Sequence, residues 1–277
     1  VQSQRVIFDI GAHVGQDTDF YLKRGFKVVA IEAHPGLAEG LRKRFAAHVA
    51  DGNLSVVEAA ISDKRGRGDF FTFGDSVFGT ISQDWADRNV QMGLQGERIA
   101  VDFTTLADIY EQYGIPYYLK VDVEGADALC IDALKELEKP EYLSIEAEKH
   151  DIDEFIQQAN VIAELGYDRF QVVQQELVPF QRVPSPPREG LPAKHRFPFG
   201  SSGLFGKELP AAGWKTVEAI IQEYQPIVRR HAVFGDFGWG KRWAARQALR
   251  LARLYPGWHD LHAAKASPAA NSSVGGG

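Results

Sequence analysis

The sequence predicts a doubly wound α/β fold, a Rossmann-like and mostly parallel sheet of seven strands with helices on both faces. Three observations predict it. Short apolar runs of strand length alternate with helix-length stretches along most of the chain. The first apolar run ends directly in a glycine-bearing turn that opens a helix. The second ends in an acidic residue, Glu32, 21 positions after the first glycine of that turn.

Taken in order, Arg5-Val-Ile-Phe-Asp-Ile10 reads as a strand buried on both faces. A helix follows over 15–24 and closes on Gly25, then a strand over 26–31 and a helix opened by His34-Pro35-Gly36 that runs to about residue 49. Residues 54–60 give a third strand. Residues 69–73 and 98–103 also read as strands, separated by a polar stretch rich in Gly, Ser and Asp, which predicts an antiparallel insertion. Alternation then resumes: helix 104–113, strand 117–123, helix 126–137, strand 141–147, helix 151–165 and strand 168–174. Residues 181–200 hold five prolines and read as a loop, which is a lid, a binding loop or a disordered segment. Residues 202–205 are expected to form a last short strand, followed by helices over 213–230 and 240–255. The expected organisation is therefore a main domain over 1–210, a helical appendage over 211–265 and a disordered tail over 266–277.

The balance of 44% hydrophobic and 25% charged residues fits an ordinary globular protein. A net charge of −6 argues against a nucleic-acid partner. No apolar run approaches the ~18 residues of a membrane-spanning helix. The one cysteine, Cys130, excludes an intramolecular disulfide and suits a reducing compartment, so the cytoplasm is the expected location. Charge is uneven: residues 225–265 carry eight Lys or Arg against two Asp, about +6, leaving about −12 elsewhere. Within that stretch Arg242, Arg246, Arg250 and Arg253 form a stripe beside Trp239, Trp243, Leu251 and Leu254. Such a helix either packs on the domain or makes a peripheral membrane or partner contact.

The turn Asp9-Ile-Gly11-Ala-His13-Val-Gly15 lies between a strand and a helix, where backbone N–H groups and the helix dipole face a ligand crevice. Gly11 allows close backbone approach and Gly15 a tight helix start. Glu32 stands where a carboxylate accepts hydrogen bonds from ribose hydroxyls. A dinucleotide fingerprint requires glycine where Asp9 stands, because a pyrophosphate must come close. A carboxylate repels that group and attracts the ammonium of a methionine moiety. The turn therefore favours S-adenosylmethionine (SAM) over NAD. His13 either contacts ligand or only shapes the turn.

A second signature, Tyr118-Leu-Lys-Val-Asp-Val-Glu-Gly-Ala-Asp127, ends the strand expected over 117–123. It places Asp122 and Glu124 at the same sheet edge as the Asp9 turn. There they could orient a hydroxyl, take its proton or hold a cation, or Lys120 and one carboxylate could form a structural pair. With no His or Cys cluster nearby, no metal is expected.

Together these segments resemble the FkbM family of SAM-dependent methyltransferases, which have the class I fold. The resemblance rests on Phe8-Asp-Ile-Gly-Ala-His-Val-Gly15, Val29-Ala-Ile-Glu-Ala-His-Pro35, Glu58-Ala-Ala-Ile-Ser-Asp63, Thr104-Thr-Leu-Ala-Asp108 and Leu119-Lys-Val-Asp-Val-Glu-Gly-Ala-Asp127. It spans residues 5–150 or so, and departs where His13 replaces the usual Asn, Ala107 an Asp and Asp127 a Glu. The resemblance implies that Asp9, Gly11 and Gly15, with His13 in the same turn, line the methionine end. It implies Glu32 at the ribose, Ala60 at the adenine and Asp122 near the transferred methyl, with Ala33 also in the cofactor site. It also implies O-methylation of a sugar or secondary-metabolite hydroxyl, with a small-molecule or glycan acceptor.

An alkyl hydroxyl benefits from a base, and His150, in Glu146-Ala-Glu-Lys-His150, has a suitable unperturbed pKa of about 6.5, though it reads equally as an exposed residue at the start of the helix over 151–165. His150 and Asp122 are thus the candidate catalytic residues. Glu124, Glu146 and the loop residue His195 are candidates to touch substrate. Two rival readings are an NAD- or nucleotide-sugar-dependent enzyme and a non-catalytic binding module. The Asp9 position and the lack of a helical Tyr-x-x-x-Lys pair oppose the first, and the intact glycines and Glu32 oppose the second.

Overall fold

The computed structural model describes residues 5–73, 79–82, 87, 90, 95–123, 125–234 and 258–265. In chain order the strands are β1 (Val6–Ile10), β2 (Lys27–Glu32), β3 (Leu54–Glu58), β4 (Ala60–Ile61), β5 (Gly66–Phe73), β6 (Gly96–Thr104), β7 (Tyr118–Val121), β8 (Tyr142–Glu146), β9 (Arg169–Gln174) and β10 (His259–Ala264). Seven of them form one sheet in the order β3-β2-β1-β7-β8-β10-β9. All neighbours in it are parallel except β10, which runs antiparallel to both β8 and β9. The reversal of strand order beside β1 puts a crevice at the carboxyl ends of β1 and β7, the place where open α/β sheets bind ligands.

The apolar runs form strands because both faces of the sheet are covered. Along β1, Ile7 faces one core while Phe8 and Ile10 face the other. One face carries α1 (Gln16–Lys23), α2 (Pro35–Arg44) and α3 (Ala46–Ala50), through Phe20, Tyr21, Leu41 and Phe45. The other carries α4 (Leu106–Tyr113), α5 (Asp127–Ala133), α6 (Ile152–Glu164) and α7 (Val217–Phe234), through Ile109, Ile131, Phe155 and Tyr224. Thr105 and Asp108 close a reciprocal capping box that starts α4. The expected antiparallel insertion is present: β5 and β6 pair in register from Gly66↔Phe103 to Phe73↔Gly96, with β4 on the far side of β6.

Two expectations are corrected. Residues 202–205 form no strand. The seventh strand is β10, inside the stretch expected to be a helical appendage. His-Asp-Leu-His-Ala-Ala carries no β-branched residue and three polar ones, so it has no strand pattern, yet every position in it is buried. Residues 181–209 run as an irregular strap beside α1, with Phe205 stacked on Tyr118 (4.9 Å, 16°) and Phe197 edge-on to Phe20 (4.8 Å). Arg24, fully buried at the end of α1, holds the strap by bonding the Glu208 carboxylate and the carbonyls of Glu189 and Leu191. The basic stripe within 240–255 and the tail over 266–277 lie outside the described residues.

Candidate active site

The β1–α1 turn has the backbone its glycines dictate. Gly11 and Gly15 have φ of 79° and 80°, and His13 has φ 51°, a left-handed position that Asn and His tolerate better than most residues. A Cβ on Gly11 would lie 1.9 Å from the carbonyl oxygen of Asp122, so the glycine is what lets the β1 and β7 ends meet. A Cβ on Gly15 would strike Phe45 and Leu41 at 2.6 and 2.7 Å, so this glycine admits the side chains of the α2–α3 layer.

Glu32 ends β2 beside this turn and is 7% exposed. Its two oxygens accept from the backbone N–H groups of His13 (2.8 Å) and His34 (2.9 Å), tying the turn to the start of α2. Burial raises its pKa, and the two N–H bonds oppose the rise. Ala33 packs against a small apolar cluster that includes Ala60, Phe70 and Val101. The His13 ring lies 3.5 Å from the Gln16 amide.

The interior of the crevice is organised by Lys120, whose side chain is 3% exposed. Its ammonium lies 3.1 Å from Asp122, 3.4 Å from Asp9 and 3.7 Å from Asp17. Burial pulls its pKa down, but these carboxylates outweigh burial and hold it well above the usual lysine range. Asp9 also accepts from the Thr18 hydroxyl at 2.6 Å. Asp17 accepts from the Ser202 N–H at 2.9 and 3.1 Å, and burial pushes its pKa up to about 6 against the pull of Lys120. Asp260, at the start of β10 and opposite Glu146, faces the same cluster. Burial and the nearby Asp122 hold its pKa well above the carboxylate range, while a bond from the Ser202 hydroxyl opposes them.

This geometry brings Asp9, Gly11, His13, Gly15, Glu32 and Asp122 to one sheet edge, as the sequence predicts. The Asp9 side chain is 1% exposed, accepts from Thr18 through Oδ2 and has Oδ1 3.4 Å from the Lys120 ammonium. His195 is 3% exposed, wedged between Phe20 and Phe197 and 3.5 Å from Asp19, so its ring offers no face to a substrate. Burial lowers its pKa. His150 is exposed, with its ring edge-on to His231 of α7 at 5.0 Å, on the side of the sheet opposite α1. Glu146 is bonded to Lys149 at 2.6 Å. Glu124 lies outside the described residues. Among the described residues no group of three or more His, Cys, Asp or Glu is arranged to hold a metal ion, and no helix is long and apolar enough to cross a membrane.

Sequence reasoning missed Asp17, Thr18, Ser202 and Asp260. Asp17 and Thr18 sit in the first turn of a helix that was correctly expected, so their nearness to Asp9 was within reach. Ser202 and Asp260 gave no such signal, because the strap and β10 reach the crevice only through the tertiary fold.

The sequence matches the family model described as the methyltransferase FkbM domain over residues 9–171, more than half of the chain. The chain belongs to the FkbM methyltransferase family. The domain is thus a SAM-dependent methyltransferase domain, and the strand order and the reversed β10 are those of its class I fold. A curated relative is the probable ribosomal RNA small subunit methyltransferase A of Methanospirillum hungatei, 38% identical over 56 residues. Those residues are 20% of this chain and 22% of the relative, so the chain spans less than a quarter of that protein's length. Among solved structures, the precorrin-6y C5,15-methyltransferase of Geobacter metallireducens is similar at 16% identity, covering 63% of this chain and 71% of that one, with a TM-score of 0.35. The methyltransferase domain of METTL16 is similar at 11% identity, covering 62% and 54%, with a TM-score of 0.38. The Dnmt2 methyltransferase of S. pombe is similar at 12% identity, covering 63% and 44%, with a TM-score of 0.38.

Proposed function

We propose that this FkbM domain methylates a hydroxyl group on a sugar or secondary metabolite, with Asp122 as the residue that receives the hydroxyl. One observation carries the choice of Asp122. Of the three carboxylates around Lys120, those of Asp9 and Asp17 are 1% and 6% exposed, whereas that of Asp122 is 50% exposed. The cluster thus presents a single carboxylate to the crevice and keeps the rest as support.

The donor set fits SAM. Glu32 spends one lone-pair site of each oxygen on the turn, which leaves a second on each for the ribose hydroxyls. Ala33 and Ala60 belong to an apolar patch suited to an adenine face. When bound, SAM supplies a methyl group already activated by its sulfonium. The chain's own task is then alignment, an effect worth on the order of 7–11 kcal/mol in favourable intramolecular systems. Lys120 fixes the Asp122 carboxylate at 3.1 Å, so it accepts the acceptor's O–H in one orientation and takes the proton as the new C–O bond forms.

The test is a methyl-transfer assay with labelled SAM over a panel of hydroxylated acceptors, run on Asp122→Asn and His150→Ala beside the wild type. Asp122→Asn should lower kcat by about 10²–10⁴-fold, the usual worth of general acid–base catalysis, with S-adenosylhomocysteine still bound. His150→Ala should stay close to wild type. The reverse pattern would move the base to His150.

A further inference from the structure

Beyond the segment matched by the family model, the strap and β10 bring an aromatic pair to the same edge as Asp122. Phe199 is 65% exposed, and its ring stands edge-on to Trp258 at 5.4 Å and 87°. Both are placed by the polar floor beneath them. Trp258 precedes β10, its carbonyl accepts from Gln175 N–H at 3.0 Å, and Asp260 follows two residues later. Positions two apart on a strand share a face about 6.5 Å apart, so Trp258 lies on the Asp260 side, toward α1 and the strap. Phe199 precedes Ser202 by three residues. The Ser202 N–H is held by Asp17 and its hydroxyl by Asp260, so one residue ties strap, α1 and β10 together.

Asp122 is half exposed and Glu146 stands opposite Asp260. Lys120 is buried among carboxylates and Lys149 is bonded to Glu146. An exposed aromatic face beside hydrogen-bond-accepting carboxylates suits a ring with an apolar C–H face and a rim of hydroxyls.

We infer that Phe199 and Trp258 form the acceptor platform of this site and take the apolar C–H face of a polyhydroxylated ring. The inference rests on the methyltransferase reading and narrows it.

The test is saturation-transfer NMR on the full chain with S-adenosylhomocysteine present, using the methyl glycosides of glucose, mannose and galactose as probes. At least one glycoside should receive saturation on its ring C–H protons. Phe199→Ala and Trp258→Ala should each weaken glycoside binding by about five- to tenfold, as truncation of a central aromatic contact does. Their affinity for S-adenosylhomocysteine by calorimetry should be unchanged, which also shows that they fold. Two results would overturn the inference: no transfer to any glycoside, or binding in both variants equal to that of the wild type. A wild type that binds glycoside but not S-adenosylhomocysteine would instead overturn the methyltransferase reading, so the two failures are told apart.

Discussion

Replacing Glu32 by Ala should damage the fold and the cofactor site by separable amounts. The side chain is 7% exposed and accepts from two backbone N–H groups, at 2.8 and 2.9 Å. Hydrogen bonds to a charged group contribute about 1.5–3 kcal/mol each. Removing both costs about 3 kcal/mol at the lower figure, since water can reach the partly buried His13 and His34 amides. Burial of the carboxylate, which raises its pKa, offsets part of this, leaving about 2–3 kcal/mol. In a protein of this size each kcal/mol moves Tm by about 2–4 °C, so apo Glu32→Ala should melt about 4–12 °C below the wild type. Loss of the ribose hydroxyl bonds should add about 1–3 kcal/mol to SAM binding, a five- to 150-fold rise in Kd. Differential scanning calorimetry of the apo protein and titration calorimetry with SAM read the two effects independently. Glu32→Gln keeps one carbonyl acceptor and should lie between. A melting point within about 1 °C of wild type would refute the role of Glu32 in holding the turn. An unchanged SAM affinity would refute its role at the ribose.

Other parts of the structure give sharp expectations. Gly11→Ala puts a Cβ 1.9 Å from the Asp122 carbonyl at φ 79°, so it should cost at least about 2 kcal/mol and weaken SAM binding, both visible in the same two calorimetric assays. Gly40→Ala, inside α2 with nothing within 4 Å of the new Cβ, should instead stabilise by about 0.5–1 kcal/mol. Asp17 has a folded pKa raised from 3.8 to about 6, so between these values the folded chain binds more protons than the unfolded one. Its contribution to stability is full below about pH 4 and is lost as pH rises through 6, by roughly 3 kcal/mol in all. Urea midpoints measured from pH 4 to 7 should therefore fall less steeply for Asp17→Asn than for wild type, and parallel profiles would remove this role. Arg24→Met strands the fully buried Glu208 carboxylate and should cost about 3–5 kcal/mol in the same denaturation assay.

The half of the fold built on β1, β2 and β7 was legible in the sequence because local signals agree there. Strands buried on both faces leave continuous apolar runs, and Gly11, Gly15 and Gly25 mark turns that only a left-handed backbone makes. The insertion was legible for the opposite reason, since its alternating pattern breaks the helix–strand rhythm. The last strand was not legible. His259–Ala264 is inserted between β8 and β9, where burial comes from neighbours rather than from its own side chains, and His262 and Asp260 disguise it. The site shows the same division. Glu32 and Gly11 stand where spacing places them. The neighbours of the Asp9 carboxylate were not legible, because Thr18 and Lys120 come from two other elements. His195 looked like a free loop histidine because nothing in its neighbourhood of the sequence reveals that Phe20 and Asp19 enclose it.

The central claim is that the edge formed by Glu32, the Gly11 turn and Asp122 is a SAM site. Parallel calorimetric titration of the wild type with SAM, S-adenosylhomocysteine and NAD tests it most directly. The account predicts micromolar binding of both adenosyl sulfur compounds, lost in part in Glu32→Ala, and no heat with NAD. Binding of NAD without SAM would contradict it.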